Sequence, residues 1–391
     1  MNVILFDTQA RIQLFPLTLT RAVADLRMGI LTIKERWEKL SGAKVSVLTE
    51  AYLQSLYPSL SSGDSLFIDA AILPNDELVK RIVSLELNEA IKDENGLIAA
   101  RVHVESVPSV DHISSLANNV TTVSAVQRLS FPFELFQQND KMIRYDFELI
   151  TKGRSSNDVN ETVRVSNKTD LFIEAGASIE HSILNASTGP IYVGKNATIM
   201  EGCTIRGPFA LGEGAVLKMG AKIYGATTIG PFSMGGGEIK NSIITGYSNK
   251  AHDGYLGDSV IGEWCNMGAG TSNSNLKNTG GVVSLWNYAA NSYIPAGNKC
   301  GVIMGDYSRT SINSSINTGS VIGVSSNVFG ASLLPKFIPD FSWGYDSGNK
   351  YEFDKAIKDI ANWKKMKNKT ISADETKVLK HIFDLSVNKE L

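Results

Sequence analysis

The chain has 391 residues, enough for two or three domains, and its 43% hydrophobic content can supply real cores. Forty acidic side chains against 38 basic ones leave a net charge of −2, so no global field recruits nucleic acid. No apolar run of ~18 residues marks a membrane span, and the start MNVILFDTQARIQ has no basic n-region or cleavage site. A cytoplasmic protein is therefore expected.

Val3-Ile4-Leu5-Phe6 reads as a buried strand, followed by the polar loop Asp7 to Arg11. Thr32 with Glu35 predicts a capping box for a helix through Leu40, with Ile33, Trp37 and Leu40 on one side. Val45 to Leu48 and Leu66 to Ile68 are further strands. Short apolar strands alternating with helix predict an α/β head with a mostly parallel sheet over residues 1–105. Ligands of such sheets sit beyond the carboxyl ends of the strands, which puts Asp7 to Arg11, and Asp69, at a site. Phe131 to Phe136 and Ile143 to Ile150 predict a packed helical connector within 106–169.

Beyond the connector the pattern changes. Val193, Ile199, Ile205, Leu211, Leu217, Ile223 and Ile229 fall at every sixth residue. Four places after each comes a small or medium residue: Ala197, Cys203, Phe209, Ala215, Ala221, Thr227 and Ser233. A period of six fits neither an α-helix nor an isolated strand. It predicts a parallel β-helix, whose stacked coils bury one continuous core. The period begins at Ile173 and Ile179 and is interrupted over 180–192, read as a loop. It resumes at Ile261 and Met267 and runs through Met304, Thr310, Ile316, Ile322 and Val328. The solenoid thus spans 170–330. Cys203 and Cys265 read as inward-facing core residues, and no Cys or His cluster has zinc spacing. In the segment 331–391, Phe353, Ala356, Ile357, Ile360 and Ala361 trace one helical stripe. Ser372 with Glu375 caps a second helix that buries Val378, Leu379, Ile382 and Phe383. Lys364, Lys365, Lys367 and Lys369 read as a solvated helix face.

The repeat loses its register after Ser233. There the chain reads Glu238-Ile239-Lys240, then Ser248-Asn249-Lys250-Ala251-His252-Asp253-Gly254-Tyr255-Leu256-Gly257-Asp258. Asn266-Met267-Gly268-Ala269-Gly270-Thr271, Asn273, Asn275 and Lys277 follow. A packed solenoid gains nothing from gathering these polar groups, so the break is where chemistry is expected.

Two stretches resemble known families. Arg11, Pro16-Leu17-Thr18 and Arg21 follow the order seen at the start of sugar-phosphate nucleotidyltransferases. The glycines of that family's loop are replaced here by Asp7, Thr8, Gln9 and Ala10, so a phosphate cradle must be built differently. That resemblance implies a nucleoside triphosphate and a sugar-1-phosphate as substrates, Arg11 and Arg21 on phosphates, and Mg2+ with Asp69 as its ligand. The break in the repeat resembles the acetyltransferase half of the bifunctional UDP-N-acetylglucosamine pyrophosphorylase / glucosamine-1-phosphate N-acetyltransferase family. That implies His252 as general base, Lys240 on the sugar phosphate, Tyr255, Asn266 and Asn275 on the amino sugar, and a backbone contact from Ala269 to acetyl-CoA. Lys222 has the offset of the family's second phosphate-binding residue, but its neighbours do not match. The resemblance also implies a left-handed β-helix with a C-terminal helical cap, and a homotrimer with the acetyl-CoA site between subunits. The whole chain looks most like an alternate, shorter-headed bacterial branch of the family, making UDP-N-acetylglucosamine from acetyl-CoA, glucosamine-1-phosphate and UTP. The alternative is a nucleotidyltransferase on another sugar-1-phosphate, such as glucose-1-phosphate thymidylyl transfer, with the β-helix as a non-catalytic trimerisation module.

Overall fold

The computed structural model describes residues 1–106, 108–345 and 349–388. The chain divides into two compact units: Met1–Leu14, Arg21–Leu26 and Leu31–Phe131 form the first, and Phe15–Thr20, Arg27–Ile30 and Pro132–Leu391 the second. No helix among the described residues is long and apolar enough to cross a membrane.

The first unit is built on a six-stranded sheet. Its strands are β1 (Asn2–Phe6), β2 (Val45–Leu48), β3 (Gly63–Asp69), β4 (Glu89–Asp93), β5 (Gly96–Val104) and β6 (Asn119–Thr122), in the order β2-β1-β3-β5-β4-β6. β1 runs parallel to β2 and β3, and β4 to β6. β5 is antiparallel to both β3 and β4, so the sheet is mixed. The hairpin between β4 and β5 turns at Glu94-Asn95-Gly96, an Asn-Gly signal of the kind that marks tight β-turns. Among the described residues, three α-helices complete the unit: α1 (Ile33–Ser41), α2 (Ala51–Gln54) and α3 (Asp76–Val83). α1 starts on the expected capping box, Thr32 with Glu35, and buries Ile33 and Trp37.

The long segment of the second unit opens with α4 (Glu134–Thr151), the predicted helical connector. A parallel β-helix follows, with three faces. The first face carries the strands from Arg164–Ser166 to Tyr255–Gly257, the second those from Leu171–Ile173 to Phe337–Ile338, and the third those from Ser178–Ile179 to Asn327–Val328. The inward residues predicted from the period, among them Ile199, Ile205, Leu211, Leu217, Ile223 and Ile229, form one buried cluster. Over this stretch each residue pairs with the one 18 places on, as Thr198 does with Val216 and Thr204 with Lys222. Residues 180–192 correct the expectation of a loop. They supply the strands Ile183–Asn185 and Ile191–Val193, and the coil is merely longer, Leu171 pairing with Ile191.

After Ser233 the stacking continues but the coils shorten. The inward step of six residues shrinks to four between Gly235 and Ile239, and to five between Ile239 and Ile244 and between Leu256 and Ile261. Loss of the six-residue period is therefore a change in corner length, not a break in the solenoid. Residues 278–299 leave the coil as the antiparallel hairpin Ser284–Asn287 with Ser292–Pro295. Trp286 stacks on Phe337 at 4.7 Å, the Tyr288 hydroxyl meets Asp340 at 3.2 Å, and Lys336 donates to Ser284 O. The helices α5 (Phe353–Met366) and α6 (Ala373–Asn388) close the unit, with Ser372 and Glu375 forming the expected cap. Two of the four lysines predicted to be solvated are not. Lys364 is buried, pairs with Glu375 and lies over the Trp264 ring, and Lys367 reaches Phe232 O and Asn249.

Candidate functional site

The first face of the solenoid presents two outward rows of side chains on either side of the inward Ile205, Ile223, Ile239 and Leu256. In one row Lys222 pairs with Glu238 and Glu238 with Tyr255. In the other, Tyr224 pairs with Lys240 and Lys240 with Gly257. The Tyr255 side chain crosses from its own row into the second. A Cβ on Gly257 would fall 2.2 Å from the Tyr255 hydroxyl, so only a glycine at 257 lets the phenol lie across the strand beside Lys240.

A hydrogen-bonded chain fixes that phenol. Asn275 Nδ2 donates to the Tyr255 hydroxyl at 3.1 Å and also to Asp258. The other Asp258 oxygen accepts from Asn241 Nδ2 at 2.7 Å. Burial, then the nearby Asp258 carboxylate, pushes the Tyr255 hydroxyl up to about 12. Tyr255 therefore stays protonated at neutral pH, and because its oxygen accepts from Asn275, its own proton is free to be donated to a ligand oxygen. Two strands down, Tyr224 donates to Glu238 on the strand between, and that bond lifts its hydroxyl to about 12. Asp258, Asn241 and Tyr224 went unassigned in the sequence. Asp258 could have been found from its place in Tyr-Leu-Gly-Asp, whereas Asn241 and Tyr224 gave no signal.

His252 stands at the corner between the third and first faces, in the exposed turn Ala251 to Gly254 that leads straight into the Tyr255 strand. The turn rests on the shortened corner Gly236-Gly237. At Gly237, where φ is +69°, a Cβ would lie 2.8 Å from both His252 O and Gly254 O. Ala269 sits in the following turn of the same corner, its carbonyl accepting from Asn313 N at 2.7 Å. Asn266 is not on the first face. It belongs to the third, in register with Asn249, whose side chain points its Nδ2 at Asn266 Oδ1 at 3.4 Å. Lys240, Tyr255 and Asn275 are thus brought together, His252 and Ala269 flank them on one corner, and Asn266 lies round it. Lys222 is displaced from Lys240's row. The coil between them has two residues fewer than the regular ones, so an 18-residue offset lands one row away and Tyr224 takes the place beside Lys240. Lys222 instead lines a cleft of 260 Å³ lower on this face with Arg206, Tyr224 and Asn185.

In the first unit, a cleft of 220 Å³ opens at the carboxyl ends of β1 and β2, lined by Asp7, Thr8, Gln9, Leu48, Thr49, Glu50, Ala51 and Ser109. The Asp7 carboxyl is buried, accepts from Thr49 Oγ1 at 2.6 Å and from Val23 N at 3.0 Å, and is driven up to about 6 by that burial. Arg11 is buried beside it, 3.5 Å from Asp7 and donating to the Tyr52 hydroxyl at 3.0 Å. Arg21 is buried as well. Asp69 departs from the expected role. One oxygen accepts from Ala71 N at 2.9 Å and the other from Arg128 Nε at 3.0 Å, and Arg128 also bridges to Asp93. A guanidinium already holds the position a divalent cation would need, and no group of three or more His, Cys, Asp or Glu among the described residues is arranged for a metal. These residues do not fit Mg2+ as folded.

Residues 3–155 match the sugar nucleotidyl transferase family. The bifunctional protein GlmU of Synechococcus elongatus is 29% identical over 200 residues, 46% of this chain and 38% of that protein. GlmU of Methanocaldococcus jannaschii is 38% identical over 97 residues, 25% of this chain and 23% of that protein. Over the matched stretches the chain is similar to these transferases. It spans well under half the length of the curated relatives it matches. Among solved structures, LpxA from Bacteroides fragilis, a UDP-N-acetylglucosamine acyltransferase, is 13% identical, covering 58% of this chain and 97% of its own with a TM-score of 0.32.

Proposed function

We propose that the β-helix transfers an acetyl group from acetyl-CoA to the amine of glucosamine-1-phosphate. One observation carries the reading: Lys240 and the Tyr255–Asn275–Asp258 chain share one patch of the first face, and the exposed His252 stands at the corner that opens onto it. Lys240 takes the sugar phosphate as a point charge. Tyr255 donates its proton to a sugar oxygen and Asn275 offers its amide, while Asn266 meets the sugar from round the corner. A sugar ammonium is not a nucleophile until it loses a proton, and an imidazole is suited to removing it near neutral pH. The freed amine attacks the thioester carbonyl carbon, the N–C bond forms as the C–S bond breaks, and the departing CoA thiolate takes up the proton that the nitrogen loses on becoming an amide. A backbone N–H such as that of Ala269 is of the right type to hold acetyl-CoA. The working form is a homotrimer, with His252 at a subunit boundary.

We also propose that the first unit transfers a nucleotidyl group to a sugar-1-phosphate, with UTP and N-acetylglucosamine-1-phosphate as the preferred pair. The match over residues 3–155 supports this. Arg11 and Arg21 are its proposed phosphate ligands. The lining of the cleft holds two carboxylates and no basic side chain, so the triphosphate must meet those arginines through local rearrangement.

Thiol release from acetyl-CoA with glucosamine-1-phosphate tests the first proposal. His252→Ala is expected to lower kcat by ~10²–10⁴ with the fold intact. No turnover in the wild type, with a nucleoside triphosphate still consumed alongside a sugar-1-phosphate, would leave the solenoid a scaffold and the chemistry in the head.

A further inference from the structure

The third face contributes one column of side chains to the core of the solenoid: Ile179, Ile199, Leu217, Gly235, Lys250, Met267, Thr310 and Val328. A lysine in that column is unexpected, since an ammonium taken out of water costs several kcal/mol unless it is well compensated. Lys250 is 1% exposed. Its compensation consists of backbone carbonyls. Nζ donates to His252 O at 2.5 Å, Gly236 O at 3.3 Å and Asp253 O at 3.4 Å, which matches its three hydrogens. Burial lowers the ammonium to about 8, and Asp253 opposes that shift.

Two of the three carbonyls belong to the turn that carries His252, and the third to the glycine corner on which that turn rests. The turn is exposed, and Gly254 within it has φ of +118°, a conformation that ordinary residues avoid. Such a turn is mobile by default. Here it is tied from inside the core by a cation. A methionine of the same length would satisfy the column without the cost of burying a charge, so stability alone does not account for the lysine.

We propose that Lys250 is a positioning residue for His252, its buried ammonium fixing the peptide carbonyls of residues 252 and 253 and so the place from which the imidazole works. This rests on the reading of His252 as the general base. Lys250 itself touches no substrate, and it acts through the backbone.

The test compares wild type, Lys250→Met, Lys250→Arg and Lys250→Gln in the full-length chain. Two quantities are measured: amide hydrogen exchange of the segment 251–256, and kcat and KM for thiol release with acetyl-CoA and glucosamine-1-phosphate. Lys250→Met is expected to fold, to exchange on the order of 10-fold faster in that segment alone, and to lose on the order of 10-fold or more in kcat with KM for acetyl-CoA little changed. Lys250→Arg, which keeps a cation, is expected to restore part of both. Should Lys250→Met not fold, Lys250→Gln, which keeps two donor hydrogens, is expected to show the same local exchange and kcat loss to a smaller degree. Wild-type exchange in 251–256, or wild-type kcat, in a folded variant lacking the ammonium overturns the proposal. So does a loss spread evenly over the whole solenoid. A wild type with no acetyl transfer overturns the role of His252 and the catalytic half of this proposal together, and the exchange data then decide the clamp by themselves.

Discussion

The lower coils of the solenoid, through Ser233, and the middle coils, from Met234 to Asn275, share one architecture and differ in what they spend their residues on. The lower coils repeat every 18 residues and fill their interior with Ile, Leu, Val, Ala and Cys. The middle coils shorten their corners, admit Gly235 and Lys250 to an apolar column, and place Asn273 inside, where its amide pairs with Gly257 as a peptide would. The proposed site residues gather in the middle coils. Regular coils supply stiffness, and the coils that depart from regularity spend some of that stability on holding polar groups in fixed places.

The sharpest way to break this comparison is to move the charge. Leu217→Lys puts an ammonium in the same column two coils lower. There the coil beneath makes the full six-residue step from Ile199 to Ile205, in place of the glycine corner beneath Lys250. We expect a loss of ~3–5 kcal/mol in urea unfolding. If Leu217→Lys is as stable as wild type, the carbonyl cluster at Lys250 is not special. A second test acts on the site itself. Asp258→Ala strips the acceptor shared by Asn241 and Asn275, and KM for the amino sugar is expected to rise roughly 10- to 100-fold. An unchanged KM would mean that Asn275 needs no such support. The smallest effect is one of pH. The Lys250 ammonium titrates at about 8 in the fold, below its ordinary 10.5. Between those values the folded chain has shed a proton that the unfolded chain still binds, so folding gains stability as pH rises. Wild type should therefore gain on Lys250→Met between about pH 8 and 10.5, with no such trend below 8. A flat difference in urea midpoints between pH 7 and pH 10 would contradict it.

Much of the fold was legible because a buried column announces itself. Ile199, Ile205 and Leu217 could be read inward from spacing alone, and Thr32 with Glu35 announced α1. The stretch where that order is lost, with its resemblance to the acetyltransferase half, pointed to Lys240, His252, Tyr255, Asn266, Asn275 and Ala269, and of these Lys240, Tyr255 and Asn275 share one patch of the first face. What could not be read were the consequences of corner length. Counting by 18 puts Lys222 beside Lys240, yet two residues missing at Gly235-Gly236-Gly237 put Tyr224 there instead. The same missing residues hid Lys250, because a lysine in a polar run reads as solvent-facing until its row is known. Lys364 and Lys367 were misread for a related cause. Their helix was predicted, but Trp264 and Asn249, which help to receive them, lie far off in sequence. The head was hardest. Arg128, the partner that commits Asp69, is 59 residues away from it and carries no motif.

The step from Val260 to its ladder partner Ile303 spans 43 residues, against 18 from Ile303 to Val321, and the strands stack the same way in both. Each coil takes its position from the coils above and below it, and a long excursion at a corner leaves the next strand in its ladder. Such a scaffold can exchange the furnishing of a corner without moving its walls. Descendants of one chain could therefore trade hairpins such as Ser284–Pro295, while the proposed site residues keep their addresses.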